Sequence, residues 1–173
     1  MYKRQALKEA QLAISKMQGY KVSYPVVYDL EYAKASKLSA KTVSEMALTF
    51  CNEVRRAGYY PMVYCNTNWY DNYIDWSLLS GVDVWIARYG DTIQAPDKER
   101  YNYTIWQSTD GNRESGLNST SGLVAGIPAG NDVDMDFGYV DYTKKITPRW
   151  KSLDSYVPAM KPDTGSNLSL IHI

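Results

Sequence analysis

The chain has 173 residues, 45% of them hydrophobic, which is one domain's worth of polypeptide with enough apolar side chains for a core and excludes a disordered segment. Nineteen Lys and Arg balance nineteen Asp and Glu, so the basic or acidic face of a nucleic-acid or anionic-membrane binder is not expected. Sixteen Tyr and five Trp against two Phe favour rings with a polar edge, which suit stacking on sugars as well as packing in a modest core.

Taken in chain order, residues 4–18 place Ala6, Ala10, Ala13, Ile14 and Met17 on one helical face, with Gly19 where a helix C-terminus wants a glycine. YPVVYDLE (24–31) reads as the first strand. Residues 41–57 repeat the helical period through Val43, Met46, Ala47, Phe50, Val54 and Ala57, with Thr42 and Glu45 spaced as a capping box and Gly58 as the stop. YYPMVYC (59–65) is the next strand, followed by a weaker helical stretch from Thr67 to Leu79. VDVWIARY (82–89), YTIWQST (103–109) and DVDMDFGY (132–139) read as further strands from their β-branched and aromatic content. Strand and helix alternate early, as in parallel βα units, and the later part is nearly all strand. The Gly/Ser/Asn-rich segment 110–131 is long enough for a site wall or a hairpin, and the polar, Pro-punctuated residues 143–173 read as a linker or tail. No run reaches the length of a membrane span and no signal peptide opens these residues.

Cys51 falls in a helical pattern and Cys65 in a strand, a spacing that makes neither a metal site nor a disulfide framework, so two buried free thiols are expected. The only histidine is His172, which argues against Ser-His, Cys-His and His-metal chemistry. Any catalysis then falls to carboxylates. Along an extended strand Asp29 and Glu31 share a face with their Cα atoms roughly 6.5–7 Å apart, at the C-terminal end where parallel α/β folds put their sites. Two such acids repel, and one is expected to keep its proton near neutral pH. An acid beside an anion is what a glycosidase needs, although an isolated D-x-E is more often a turn cap or half of an ion pair. Asp132, Asp134 and Asp136 alternate in the same way on the last predicted strand; by themselves they fit a divalent cation or a sugar cleft.

The ordered set YPVVYDLE, YYPMVYCN, VDVWIARYG, YTIWQST and GLVAGIPAGNDVDMDFGY resembles the second half of glycoside hydrolase family 25, the Chalaropsis-type lysozymes of bacteria and phages, from about residue 6 to 142. The resemblance implies an α/β fold, a modified TIM-like β/α barrel represented by about its last five strands, over residues 1–142. It implies hydrolysis of the β-1,4 bond between N-acetylmuramic acid and N-acetylglucosamine in peptidoglycan, with no cofactor, no nucleic acid and no membrane partner. Position by position it makes Glu31 the general acid/base, Asp29 its partner and Asp134 the acid of the last strand. Tyr64, Tyr89, Trp106 and Gln107 become glycan-lining residues, barrel packing being the alternative for each. Asp136, where relatives often have Asn, is peripheral.

Family members begin with three strands, the first bearing a further Asp, that find no counterpart here. A non-catalytic glycan-binding or inactive fragment is therefore the alternative function, and self-association through open edges such as PVVY or VDMDF is expected. The resemblance places the parent enzyme outside the cell or at the cell wall.

Overall fold

The structure, a computed structural model, describes residues 1–32, 35–90, 93–111, 126, 128, 131 and 133–147. Most of the segment 110–131, Asp132 and the expected tail beyond residue 147 lie outside the described residues. Helix α1 (Tyr2–Lys16) precedes β1 (Val26–Asp29), then come α2 (Ala40–Arg56), β2 (Pro61–Asn66), α3 (Thr67–Asn72), β3 (Asp83–Ala87), β4 (Ile105–Thr109), β5 (Met135–Gly138) and α4 (Tyr142–Lys145). Single 3₁₀ turns occupy Ala35–Lys37 and Trp76–Leu78.

The five strands form one sheet in chain order. The first three pairings are parallel, as expected of consecutive βα units, whereas β5 runs antiparallel to β4 with an irregularity between Gln107 and Thr109. Alternation along the strands divides the sheet into two unlike faces. Val26, Tyr28, Val63, Cys65, Ile86 and Trp106 face the helical layer and join Ala6, Ala10, Val43, Ala47, Phe50 and Val54 of α1 and α2 in the main core. The Tyr28 ring stacks on Phe50 at 4.3 Å between centroids, and its hydroxyl donates to Glu9 Oε2 of α1 at 2.9 Å. Burying side chains of this size is worth about 1.5–3 kcal/mol each. The opposite face carries Asp29, Tyr64 and Trp85 in register, and two residues further along Gln107 and Asp136 in register with each other.

Several elements differ from their sequence expectation. Helix α2 is capped one turn earlier than the Thr42–Glu45 box, by Ser39, whose hydroxyl accepts the Thr42 N–H; Thr42 lies inside the helix. Gly58, at φ +77°, ends it as expected, its left-handed conformation being one other residues enter at a cost. The stretch 67–79 is a short helix and a 3₁₀ turn, because Asn66 and then Asp75 each cap a new start. Residues 143–145 continue a docked helix whose Tyr142 is fully buried. Cys51 and Cys65 are buried free thiols; burial pushes the Cys51 thiol up to about 12 and Cys65 well above its ordinary value.

Candidate active site

The C-terminal end of β1 explains why an apolar strand finishes in acids. Leu30 extends the ladder, its N–H donating to the Tyr64 carbonyl at 3.2 Å, and its side chain is 3% exposed in the core. The Leu30 carbonyl, the next rung's acceptor in a parallel ladder, is taken by the Tyr32 N–H at 2.8 Å. Asp29 Oδ1 accepts the Glu31 N–H at 2.8 Å, an Asx-type turn. The chain therefore bends at Leu30, and what relates the two acids is this turn and not the pleat of a continued strand. Glu31 folds back so that its Oε1 accepts the N–H of Asn66, the last residue of β2.

Burial raises the Glu31 carboxyl above the ordinary glutamate range; the Asn66 N–H opposes the rise and the nearby Asp29 charge adds to it. This is the direction expected of a proton donor beside a second carboxylate.

Across β2, β3 and β4, Tyr64 and Tyr89 both donate to Gln107 Oε1, at 2.6 and 2.8 Å, and their hydroxyl oxygens are 3.4 Å apart. The two phenol protons are shared between Gln107 Oε1 and the paired hydroxyls, and the remaining hydroxyl lone pairs can accept from a ligand's O–H or N–H. Burial pushes the Tyr89 phenol up to about 12, the hydrogen bond with Tyr64 opposing and the charges of Asp110, Asp134 and Glu31 adding to the rise. Tyr89 thus feels acids from both edges of the sheet. Asp134 is exposed and lies just ahead of β5, so the expected ladder of three aspartates on one strand face is reduced to Asp136 within the strand, with Asp132 outside the described residues.

The structure brings Asp29, Glu31, Tyr64, Tyr89 and Gln107 together at one end of the sheet, with Asp134 near Tyr89. It does not bring Trp106 to them. That ring is 4% exposed on the helical side, stacks on Phe137 at 5.1 Å, and its indole N–H donates to the Arg88 carbonyl at 3.0 Å. Two residues escaped the sequence reading, and a third, Asp136, was set aside there as peripheral. Asn66 acts through its main chain, which no residue letter announces. Trp85 meets Tyr64 edge-on at 5.2 Å and donates its indole N–H to Asp136 Oδ1 at 2.7 Å. Asp136 is therefore part of the site face; burial raises its carboxyl, Trp85 opposing and Asp134 adding. Its alternation with Asp134 carried the signal, which the family resemblance outweighed.

A family model described as glycosyl hydrolases family 25 matches residues 1–117. The chain belongs to that family. Among solved structures it is similar to the CTP1L endolysin, with 24% identity and a TM-score of 0.59, over 81% of this chain and 43% of that one; the chain thus spans less than half of that endolysin. The muramidase from Trichobolus zukalii aligns at 23% identity and a TM-score of 0.41 over 52% of this chain and 46% of that one. The muramidase from Acremonium alcalophilum aligns at 21% and 0.34 over 52% and 47%. No curated protein matches.

Proposed function

We propose that this family 25 chain carries the acid/base carboxylates of a peptidoglycan muramidase, acting on the β-1,4 bond between N-acetylmuramic acid and N-acetylglucosamine. The observation that carries the reading is Glu31 itself: a half-buried carboxyl at the C-terminal end of the parallel strands, held above its ordinary range with a second carboxyl, Asp29, bound to its own N–H. Glu31 protonates the departing glycosidic oxygen. Asp29 stabilises positive charge developing on the sugar, or orients the 2-acetamido group if that group attacks the anomeric carbon. Asp134, whose charge acts on Tyr89, is the acid just ahead of the last strand, and the Tyr64–Tyr89–Gln107 cluster accepts hydrogen bonds from sugar hydroxyl or amide groups. Trp106 acts through packing. No step calls for a metal or cofactor.

The finer architecture belongs to the same proposal: the sheet is a portion of a modified β/α barrel, with helices on one face and the site face turned inward. Support comes from the two unlike faces and from the 43% span of the endolysin chain. Exposed Met135 and Phe137 on β5, at 44% and 43%, favour a second reading in which the chain binds glycan without cleaving it and associates with itself through this strand.

Purified peptidoglycan, digested with the chain and with Glu31→Gln, separates the readings. The proposal expects new muramic acid reducing ends from the chain and a rate lower by about 10² to 10⁴ in the variant, which keeps the shape and removes the proton. Reducing ends of another sugar, or equal rates, overturn it. Binding of a muropeptide oligomer without any new reducing end decides for the second reading.

A further inference from the structure

The turn after β1 leaves the Asn66 N–H without its ladder acceptor. Leu30 binds Tyr64 through its N–H, and its carbonyl, which would have received Asn66, instead receives Tyr32. A main-chain donor at the end of an inner strand needs another partner, and the Glu31 carboxyl supplies it. We propose that Asn66 is a positioning residue for Glu31, its main-chain N–H fixing which carboxyl oxygen carries the acid proton and how readily that proton leaves. The inference rests on the reading of Glu31 as the acid.

Asn66 is itself held from two sides. It ends β2 in register with Ala87 of β3, and its side chain caps α3, Oδ1 accepting the Trp69 N–H at 2.9 Å. Its backbone is extended, with φ −80° and ψ 171°, so the N–H direction is set by both the sheet and the cap. The carboxyl oxygen facing that N–H can only accept there, so the proton resides on the other oxygen. Hydrogen bonding to the charged form favours it, and so Asn66 works against the burial of Glu31 and the charge of Asp29, with its side chain acting in the same sense. The titratable groups whose charges interact with Glu31 are Asp29 on β1, Tyr64 and Cys65 on β2, and Tyr89 beyond β3. Among these described groups none is a cation, and Asn66 offsets the others, through its N–H first and its side chain second.

Carbon-detected titration of the chain labelled at its glutamate carboxyls tests this without requiring turnover. The Glu31 signal is assigned by its loss in Glu31→Gln, and the Asn66 amide proton is followed in parallel. In the unaltered chain the Asn66 amide shifts through the same midpoint as the Glu31 carboxyl. Asn66→Pro, whose φ suits proline, deletes the donor and moves the Glu31 midpoint upward; Asn66→Ser keeps the N–H and a capping oxygen but loses the side-chain amide, and moves it by less, the difference being the share of the N–H. Where hydrolysis is measurable, the alkaline limb of its pH profile moves upward with Asn66→Pro. A silent Asn66 amide through the Glu31 titration, or an unmoved midpoint in Asn66→Pro, overturns the proposal, and the amide measurement decides even if the proline variant does not fold. Failure of the Glu31 reading shows separately, as unchanged hydrolysis in Glu31→Gln.

Discussion

At the C-terminal ends of the strands Glu31 meets one main-chain N–H and a neighbouring carboxyl, while at their N-terminal ends Asp83 Oδ2 accepts from Tyr60 at 2.8 Å, Tyr142 at 2.7 Å and Lys145 at 2.9 Å. Both clusters are built from acids and tyrosines on one sheet. Burial raises each carboxyl, but at Asp83 the three donors and the Lys145 charge reverse the direction and hold it below the ordinary aspartate range, whereas at Glu31 the N–H and side chain of Asn66 alone do not. The difference lies in the count of donors and in one cation. A carboxylate with its charge fully met is a tie between the start of β2, β3 and α4; one with its charge half met is available for proton transfer. Stability is invested at the lower end and withheld at the upper, as expected where function needs a perturbed group.

The comparison is broken most severely by the loss of Glu31 as a proton donor, the 10² to 10⁴ rate effect described above. Next in size is Trp106→Ala. If Trp106 belongs to neither end but to the layer between sheet and helices, removing it costs about 3–5 kcal/mol, read as a lowered denaturation midpoint, while muropeptide binding by the folded fraction is unchanged. Weakened binding at unchanged stability would instead return Trp106 to the glycan wall.

Asp83→Ala sharpens the contrast from below. It leaves the Tyr60 and Tyr142 hydroxyls without this acceptor, at a cost of about 1–3 kcal/mol. Tyr142 keeps its contact with Thr104 at 2.6 Å, and Lys145, 42% exposed, adds little because solvent screens it. A thermal melt measures the loss, and the Glu31 titration stays where it was.

The smallest effects are in the pH dependence of stability, and their signs are opposite. Asp83, lowered in the fold, contributes stability above the unfolded aspartate value of about 3.9, lost as pH falls through its folded value. Glu31, raised in the fold, contributes stability below the unfolded glutamate value of about 4.3, lost as pH rises through its folded value. Melts over a pH series therefore show Asp83→Asn below the parent chain, with the gap closing in acid. Glu31→Gln lies above the parent, with the gap opening as pH rises.

Local elements were legible because their periods are local. Val43, Met46, Ala47, Phe50 and Val54 mark one face of α2 and are all buried, and the alternation in PMVYCN separates Val63 and Cys65 from Tyr64. The same alternation puts Trp106 and Gln107 on opposite faces, so their assignment to one glycan wall, taken from family resemblance, conflicts with a rule the strand itself supplies. Overlapping caps hid the start of α2, since Ser39 and Thr42 each have a partner three residues on. Asn66 was invisible because its contribution is an N–H common to nearly every residue, assigned by where a distant ladder stops. Asp83 was invisible because its partners come from residues 60, 142 and 145, and only the antiparallel return of β5 brings the last two to the start of β3.

The most direct test of the account is a single carboxyl titration of the chain labelled at both aspartate and glutamate side chains, with Glu31 and Asp83 identified by their amide variants. Glu31 is expected to titrate above the ordinary glutamate range and Asp83 below that of ordinary aspartates, in the same sample. Midpoints displaced in the same direction, or Glu31 titrating below the ordinary range, would contradict it.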